Sequence, residues 1–158
     1  MTQPVRVAVV GVGHAGSLHA QVYAKLASKA SLVAVCDTNA SRAREVATSL
    51  GCRAVTDVRE LLGTIEAASV AVPTSAHHAV GKVLLEAGVH VLMEKPIARS
   101  LSEADSLLAS SLASKSTLPP GENGTIMRIG RCGYAAGCPA QQSPLIRTPS
   151  NTANRVSR

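Results

Sequence analysis

Apolar positions in the first 115 residues alternate between two rhythms. Val5–Val10 is a continuous, largely β-branched run, the pattern of a strand buried on both faces. Leu32–Cys36, Arg53–Val55, Ala68–Val72 and Val89–Met93 repeat it. Helical segments are predicted in between. The first covers Ser17–Leu26. The second starts at Ser41 as N-cap, runs through Ala43, Val46, Ala47 and Leu50, and ends at Gly51. Asp57 caps a brief helix carrying Leu61 and Leu62. Thr74 or Ser75 caps the next, whose stripe is Val80, Val83, Leu84 and Ala87 and whose stop is Gly88. Ser102 opens the last, through Leu107, Leu108 and Leu112. Strand–helix alternation of this kind predicts an α/β fold: a doubly wound parallel sheet with right-handed crossovers and helices on both faces.

The pattern stops near residue 115. From Thr117 onward, forty-two residues hold five Pro and five Gly among many Ser, Thr and Asn, and only Thr125–Ile129 reads as a strand. The sequence therefore divides into residues 1–116, one domain, and residues 117–158, a basic tail expected to be disordered because it has no apolar periodicity. So abrupt a change invites the reading that the tail is a frameshifted or truncated substrate domain, in which case another reading frame would restore apolar patterning.

Composition narrows the partners. Phe and Trp are absent and Tyr23 and Tyr134 are the only aromatics, so the core is expected to be Val, Ala, Leu and Ile. Single-stranded nucleic acid is disfavoured, since its binding leans on aromatic platforms. The net charge of +6 divides unevenly: residues 1–116 carry eleven Lys/Arg against nine Asp/Glu, and the tail five Arg against Glu122 alone. With the excess in the tail and no groove-reading motif, specific nucleic-acid binding is not expected. Cys36, Cys52, Cys132 and Cys138 form no CxxC pair and read as reduced thiols. The histidines are dispersed, so no metal site is expected. Neither a signal peptide nor a membrane span is expected, which points to a cytoplasmic protein.

The chemistry begins after the first strand. Gly11-Val12-Gly13-His14-Ala15-Gly16 has GxGxxG spacing with a strand before it and a helix after it. Gly11 permits the tight turn, Gly13 lets a pyrophosphate approach the backbone, and Gly16 lets helix and strand pack closely. The helix N-terminus, with the amides around His14 and Ala15, faces the phosphates with partial positive charge. This is a Rossmann-type dinucleotide site. Asp37 lies 21 residues past Gly16 at the tip of the second strand. A carboxylate there accepts the adenosine ribose hydroxyls and repels a 2′-phosphate, favouring NAD over NADP. Arg42 and Arg44 keep NADP open, since either can swing toward a phosphate.

Two further segments follow strands: Val72-Pro73-Thr74-Ser75-Ala76-His77-His78 and Met93-Glu94-Lys95-Pro96-Ile97-Ala98. With the glycine loop, they resemble the N-terminal domain of the glucose–fructose oxidoreductase/inositol dehydrogenase (Gfo/Idh/MocA) family over roughly residues 4–113. Pro73 and Thr74 shape a loop along the nicotinamide ribose, and His77 is expected to line the cofactor cleft. The resemblance implies that Lys95 orients substrate and cofactor, where a cation also steadies developing alkoxide charge. Glu94 fixes that lysine or contacts the cofactor, and Pro96 stiffens the turn. His14 and His19 are expected at the cleft rim or in solvent. The family implies hydride transfer between nicotinamide and a sugar, polyol or nucleotide-sugar. It also implies a second domain, absent from this sequence, that supplies further acid/base groups and mediates any homo-oligomer. The alternatives are a non-catalytic dinucleotide-binding module and an interaction domain that has lost the cofactor.

Overall fold

The computed structural model describes residues 3–115. The expected tail, its Thr125–Ile129 strand, Cys132 and Cys138 lie outside the described residues. The elements are β1 (Val5–Val10), α1 (His14–Lys25), β2 (Ala30–Cys36), α2 (Ala40–Leu50), β3 (Arg53–Val55), a 3-10 turn (Val58–Leu61), β4 (Ala67–Val70), α3 (Thr74–Glu86), β5 (His90–Met93) and α4 (Leu101–Lys115). The five strands form one sheet in the order β3-β2-β1-β4-β5, and every pairing is parallel. The chain starts in the middle, winds outward one way, then crosses back over β1. This reversal opens a crevice at the carboxyl ends of β1 and β4, the place where open α/β sheets take ligands.

Side chains alternate across the sheet, so each strand feeds two cores. Ala8, Val10, Ala34, Cys36, Ala68 and Val70 face the layer containing Leu84, Leu85 and Leu107 from α3 and α4. Val9 and Val35 face α1 and α2, meeting Ala20, Val46 and Ala47. The first core holds fully buried leucines, each contributing about 1.5–3 kcal/mol. The second is thin, as a sequence without Phe or Trp requires. Its inner positions on α1 are Gly16, Ala20 and half-buried Tyr23, whose hydroxyl lies 2.8 Å from the Ser69 hydroxyl on β4.

Several local expectations are corrected. Asn39, not Ser41, is the N-cap of α2, its side chain accepting from Arg42 N–H. Pro73 occupies the N-cap position of α3 and no side chain caps that helix, so neither Thr74 nor Ser75 does so. The buried stripe of α3 is His77, Gly81, Leu84 and Leu85, shifted round from the expected Val80 and Val83. Gly81 explains the shift: a Cβ there would stand 2.5 Å from Met93 Cε and 3.0 Å from Leu107 Cδ2. α1 begins at His14, three residues earlier than expected. The second half of the glycine loop is thus already helix.

Candidate functional site

The three glycines of the loop differ in what surrounds them. Gly11 has φ +83°, open to glycine at little cost, and a Cβ there would lie 2.8 Å from the Ala71 carbonyl and Val72 N. Gly16 is buried, and a Cβ on it would collide with the Gly11 carbonyl oxygen. Gly13 has nothing within 4 Å of a Cβ position, with φ −64° and ψ −153°. Backbone therefore closes the outer two positions and leaves the middle one open, the arrangement a pyrophosphate needs. Gly13 is also the N-cap of α1, whose first turn carries no acidic residue, and the side chains of His14 and Ala15 are exposed. An anion would meet unpaired amides and the positive end of the helix dipole there.

Asp37 follows directly after β2. Its Oδ2 accepts from Val12 N–H at 2.9 Å and its Oδ1 from Asn39 N–H at 2.9 Å. Each oxygen keeps a second lone pair for a ribose hydroxyl. Arg42 Nε donates to the Val12 carbonyl at 2.9 Å, Nη2 to Ser17 Oγ at 3.0 Å, and Nη1 to Glu45 Oε2 at 3.0 Å. Arg42 is thus tied behind the glycine loop, whereas Arg44 is exposed and makes no such contact.

On the other half of the sheet, Pro73 and Thr74 lead into α3. His77 departs from expectation: it is 1% exposed, with Nδ1 2.8 Å from Pro96 O and Nε2 2.9 Å from Val72 O. Both partners are carbonyls, so a neutral ring donates to one and a protonated ring to both. His77 pins the loops after β4 and β5 to each other from behind and presents no surface to the cleft. The Glu94 carboxylate is shared: Oε1 lies 3.1 Å from His19 Nε2 on α1, and Oε2 accepts from Lys95 N–H at 3.3 Å. The Lys95 side chain is exposed, without a hydrogen-bond or ion-pair partner among the described residues.

A cleft of about 940 Å³ runs across the carboxyl ends of the strands, lined by Gly11, Gly13, Asp37, Val58, Pro73 and Val80 among others. Of the expected site residues, Gly11, Gly13, Asp37 and Pro73 share this wall. Glu94 and Lys95 form a separate turn one strand farther on, joined to α1 through His19. Cys36 belongs to the cleft wall, yet burial and then the Asp37 charge push its thiol up to about 11, so it is a packing group and no nucleophile. Among the described residues there is no cluster of three or more His, Cys, Asp or Glu able to hold a metal, and no helix long and apolar enough to cross a membrane.

Sequence reasoning undervalued two residues. His19 falls on the inner side of α1 with Gly16, Ala20 and Tyr23, a helical phase readable in advance. Arg42 gave no such signal, because the two partners that tie it to the site, Ser17 and the Val12 carbonyl, lie on α1 and on the loop.

A family model described as an oxidoreductase family with an NAD-binding Rossmann fold, Gfo/Idh/MocA, matches residues 5–118. The chain is 48% identical over 104 residues to a UDP-N-acetylglucosamine 3-dehydrogenase of Acidithiobacillus ferrooxidans, covering 66% of this chain and 32% of that protein. The solved structure of the same enzyme superposes with a TM-score of 0.68 over 73% of this chain and 37% of that one. An inositol 2-dehydrogenase of Saccharopolyspora erythraea is 34% identical over 103 residues, 63% of this chain and 30% of that protein. GenD2 from gentamicin A biosynthesis, solved in complex with NAD, is 32% identical with a TM-score of 0.69, covering 73% of this chain and 33% of that one. The chain spans about a third of the length of the curated relatives it matches.

Proposed function

The chain belongs to the Gfo/Idh/MocA oxidoreductase family, whose Rossmann fold binds NAD, and from that premise we propose that it is the cofactor-holding part of a dehydrogenase acting on a hydroxyl of a sugar, polyol or nucleotide-sugar. The observation that carries the proposal is the pairing of an open Gly13 with Asp37, whose carboxylate reaches the same loop through Val12 N–H, along one wall of a cleft. Gly11, Gly13 and Gly16 with the amides of His14 and Ala15 hold the diphosphate, and Asp37 takes the adenosine ribose. NAD is preferred over NADP. The carboxylate opposes a 2′-phosphate, Arg42 is occupied elsewhere, and the similar GenD2 was solved with NAD.

When bound, the nicotinamide supplies the hydride acceptor or donor. Pro73 and Thr74 shape the wall beside it. Lys95, exposed on a turn steadied by Glu94, orients the reacting oxygen and stabilises negative charge developing on it. His77 holds the turn from behind. Nucleotide-sugars are the favoured substrate class, because the UDP-N-acetylglucosamine 3-dehydrogenase is more similar (48%) than the inositol 2-dehydrogenase (34%).

Calorimetric titration with NADH and NADPH tests the reading. NADH should bind more tightly, and at a hundred times its Kd it should stabilise the fold by about 2.7 kcal/mol. Heat with neither nucleotide overturns it, and NADH affinity without oxidation of any sugar favours a non-catalytic binding module.

A further inference from the structure

The Val12–Gly13 peptide is held at its carbonyl end by two side chains, Arg42 and Ser17, which close a ring of three hydrogen bonds with it. Arg42 Nε donates to Val12 O at 2.9 Å, Ser17 Oγ donates to the same oxygen at 2.9 Å, and Arg42 Nη2 donates to Ser17 Oγ at 3.0 Å. Asp37 anchors the preceding peptide through Val12 N–H at 2.9 Å. A peptide is planar and trans, so its N–H points opposite its carbonyl. With the carbonyl drawn back toward Arg42, Gly13 N–H is turned the other way. Gly13 N–H has no protein partner among the described residues, Gly13 lines the cleft, and nothing stands within 4 Å of its Cβ position.

We propose that Arg42 is a positioning residue for the dinucleotide: by gripping the Val12 carbonyl it aims Gly13 N–H at the diphosphate, and it does not read the 2′ position. The inference rests on the dinucleotide reading above and specifies how that site is pre-set. Arginine suits the task because its planar fork spans Val12 O and Ser17 Oγ at once, which a lysine ammonium on a flexible stem does not reproduce. Glu45 holds the remaining arm at 3.0 Å, so three of the five guanidinium N–H donors are committed to this chain. A 2′-phosphate recruiting Arg42 would have to strip these contacts.

The test is a titration of wild type, Arg42→Gln and Arg42→Lys with NADH, NADPH, ADP and adenosine. Arg42→Gln should weaken NADH and ADP by a similar factor, roughly tenfold, as expected for losing charge-assisted hydrogen bonds, while adenosine, which lacks phosphates, is unaffected. Arg42→Lys should recover less than half of that loss on a logarithmic scale. Unchanged NADH and ADP affinity in Arg42→Gln overturns the proposal, and so does a loss confined to NADPH. An equal loss for adenosine also overturns it, because that marks general damage. Ser17→Ala, which opens the ring but keeps the arginine, should give a smaller loss of the same pattern, and it keeps the proposal testable if Arg42→Gln does not fold. Should wild type bind none of the four, the dinucleotide reading itself is what has failed.

Discussion

The glycine loop after β1 and the Glu94-Lys95-Pro96 turn after β5 lie at the same end of one sheet, yet they are built in opposite senses. In the loop, Asp37 on the cleft wall and Arg42 and Ser17 behind it grip the backbone, so that backbone N–H groups are what the cleft receives. In the turn, His77 and His19 occupy the backbone carbonyl and the Glu94 carboxylate, leaving the Lys95 side chain as the free element. One region offers fixed dipoles to a ligand of constant shape. The other leaves an exposed cation, Lys95, which on the proposed reading faces the reacting oxygen. The division suits a fold that keeps its cofactor and varies its substrate.

Breaking the loop should have the largest effect. In Gly16→Ala the new methyl meets the Gly11 carbonyl oxygen, and neither backbone can yield cheaply, so thermal unfolding should show a loss of about 3 kcal/mol or more together with loss of NADH-dependent stabilisation. Gly13→Ala is its counterpart. The backbone there is extended and the Cβ meets nothing, so the protein should melt within about 1 kcal/mol of wild type while NADH binding is lost to the occupied space. If both variants bind NADH as wild type does, the loop is not the phosphate site.

The turn should respond less, and through its support. His77→Ala leaves the Val72 and Pro96 carbonyls without their buried partner and a gap beneath the turn, a loss of about 2–4 kcal/mol in chemical denaturation. Lys95→Ala removes an exposed side chain without a described partner and should leave stability unchanged. A destabilised Lys95→Ala or an unperturbed His77→Ala would reverse the roles assigned to them.

The two regions also differ in how readable they were in the sequence. The glycine spacing and the place of Asp37 follow from local sequence, because they lie within the β1–α1–β2 unit, although the backbone that closes on Gly11 comes from Ala71 and Val72 beyond β4. Lys95 was singled out through a family likeness. The turn's supports come from α1 and α3, and only the assembled sheet brings His19 and His77 to it. The placing of His77 in the cleft rests on the same family likeness, since its spacing after Pro73 fixes only that it enters the first turn of α3. Which way that turn faces depends on Gly81, whose missing side chain lets α3 settle against Met93 and Leu107. The α2 cap also depends on a neighbour: Asn39 accepts from Arg42 N–H while its own N–H donates to Asp37 Oδ1.

The smallest expected effect is at the opposite end of the sheet, and it separates fold from site. The Glu66 carboxylate accepts from Arg6 backbone N–H at 2.9 Å and from Arg6 Nε at 3.3 Å, tying the start of β1 to the residue before β4. The Arg6 backbone hydrogen bond, then its side chain, hold the Glu66 carboxyl below its ordinary value of 4.5. A group depressed in the folded state contributes its stability in full above 4.5, and the contribution disappears as pH falls through the lower folded value. The pair is half exposed, so its contribution is modest and salt-sensitive. Melting temperature should therefore fall less between pH 7 and pH 3.5 in Glu66→Gln than in wild type, with NADH affinity at pH 7 the same in both. Parallel acid profiles would show that the Glu66 carboxylate contributes no pH-dependent stability at that end. A change in NADH affinity would mean that the two ends of the sheet are coupled, and the contrast between loop and turn would then no longer be a local one.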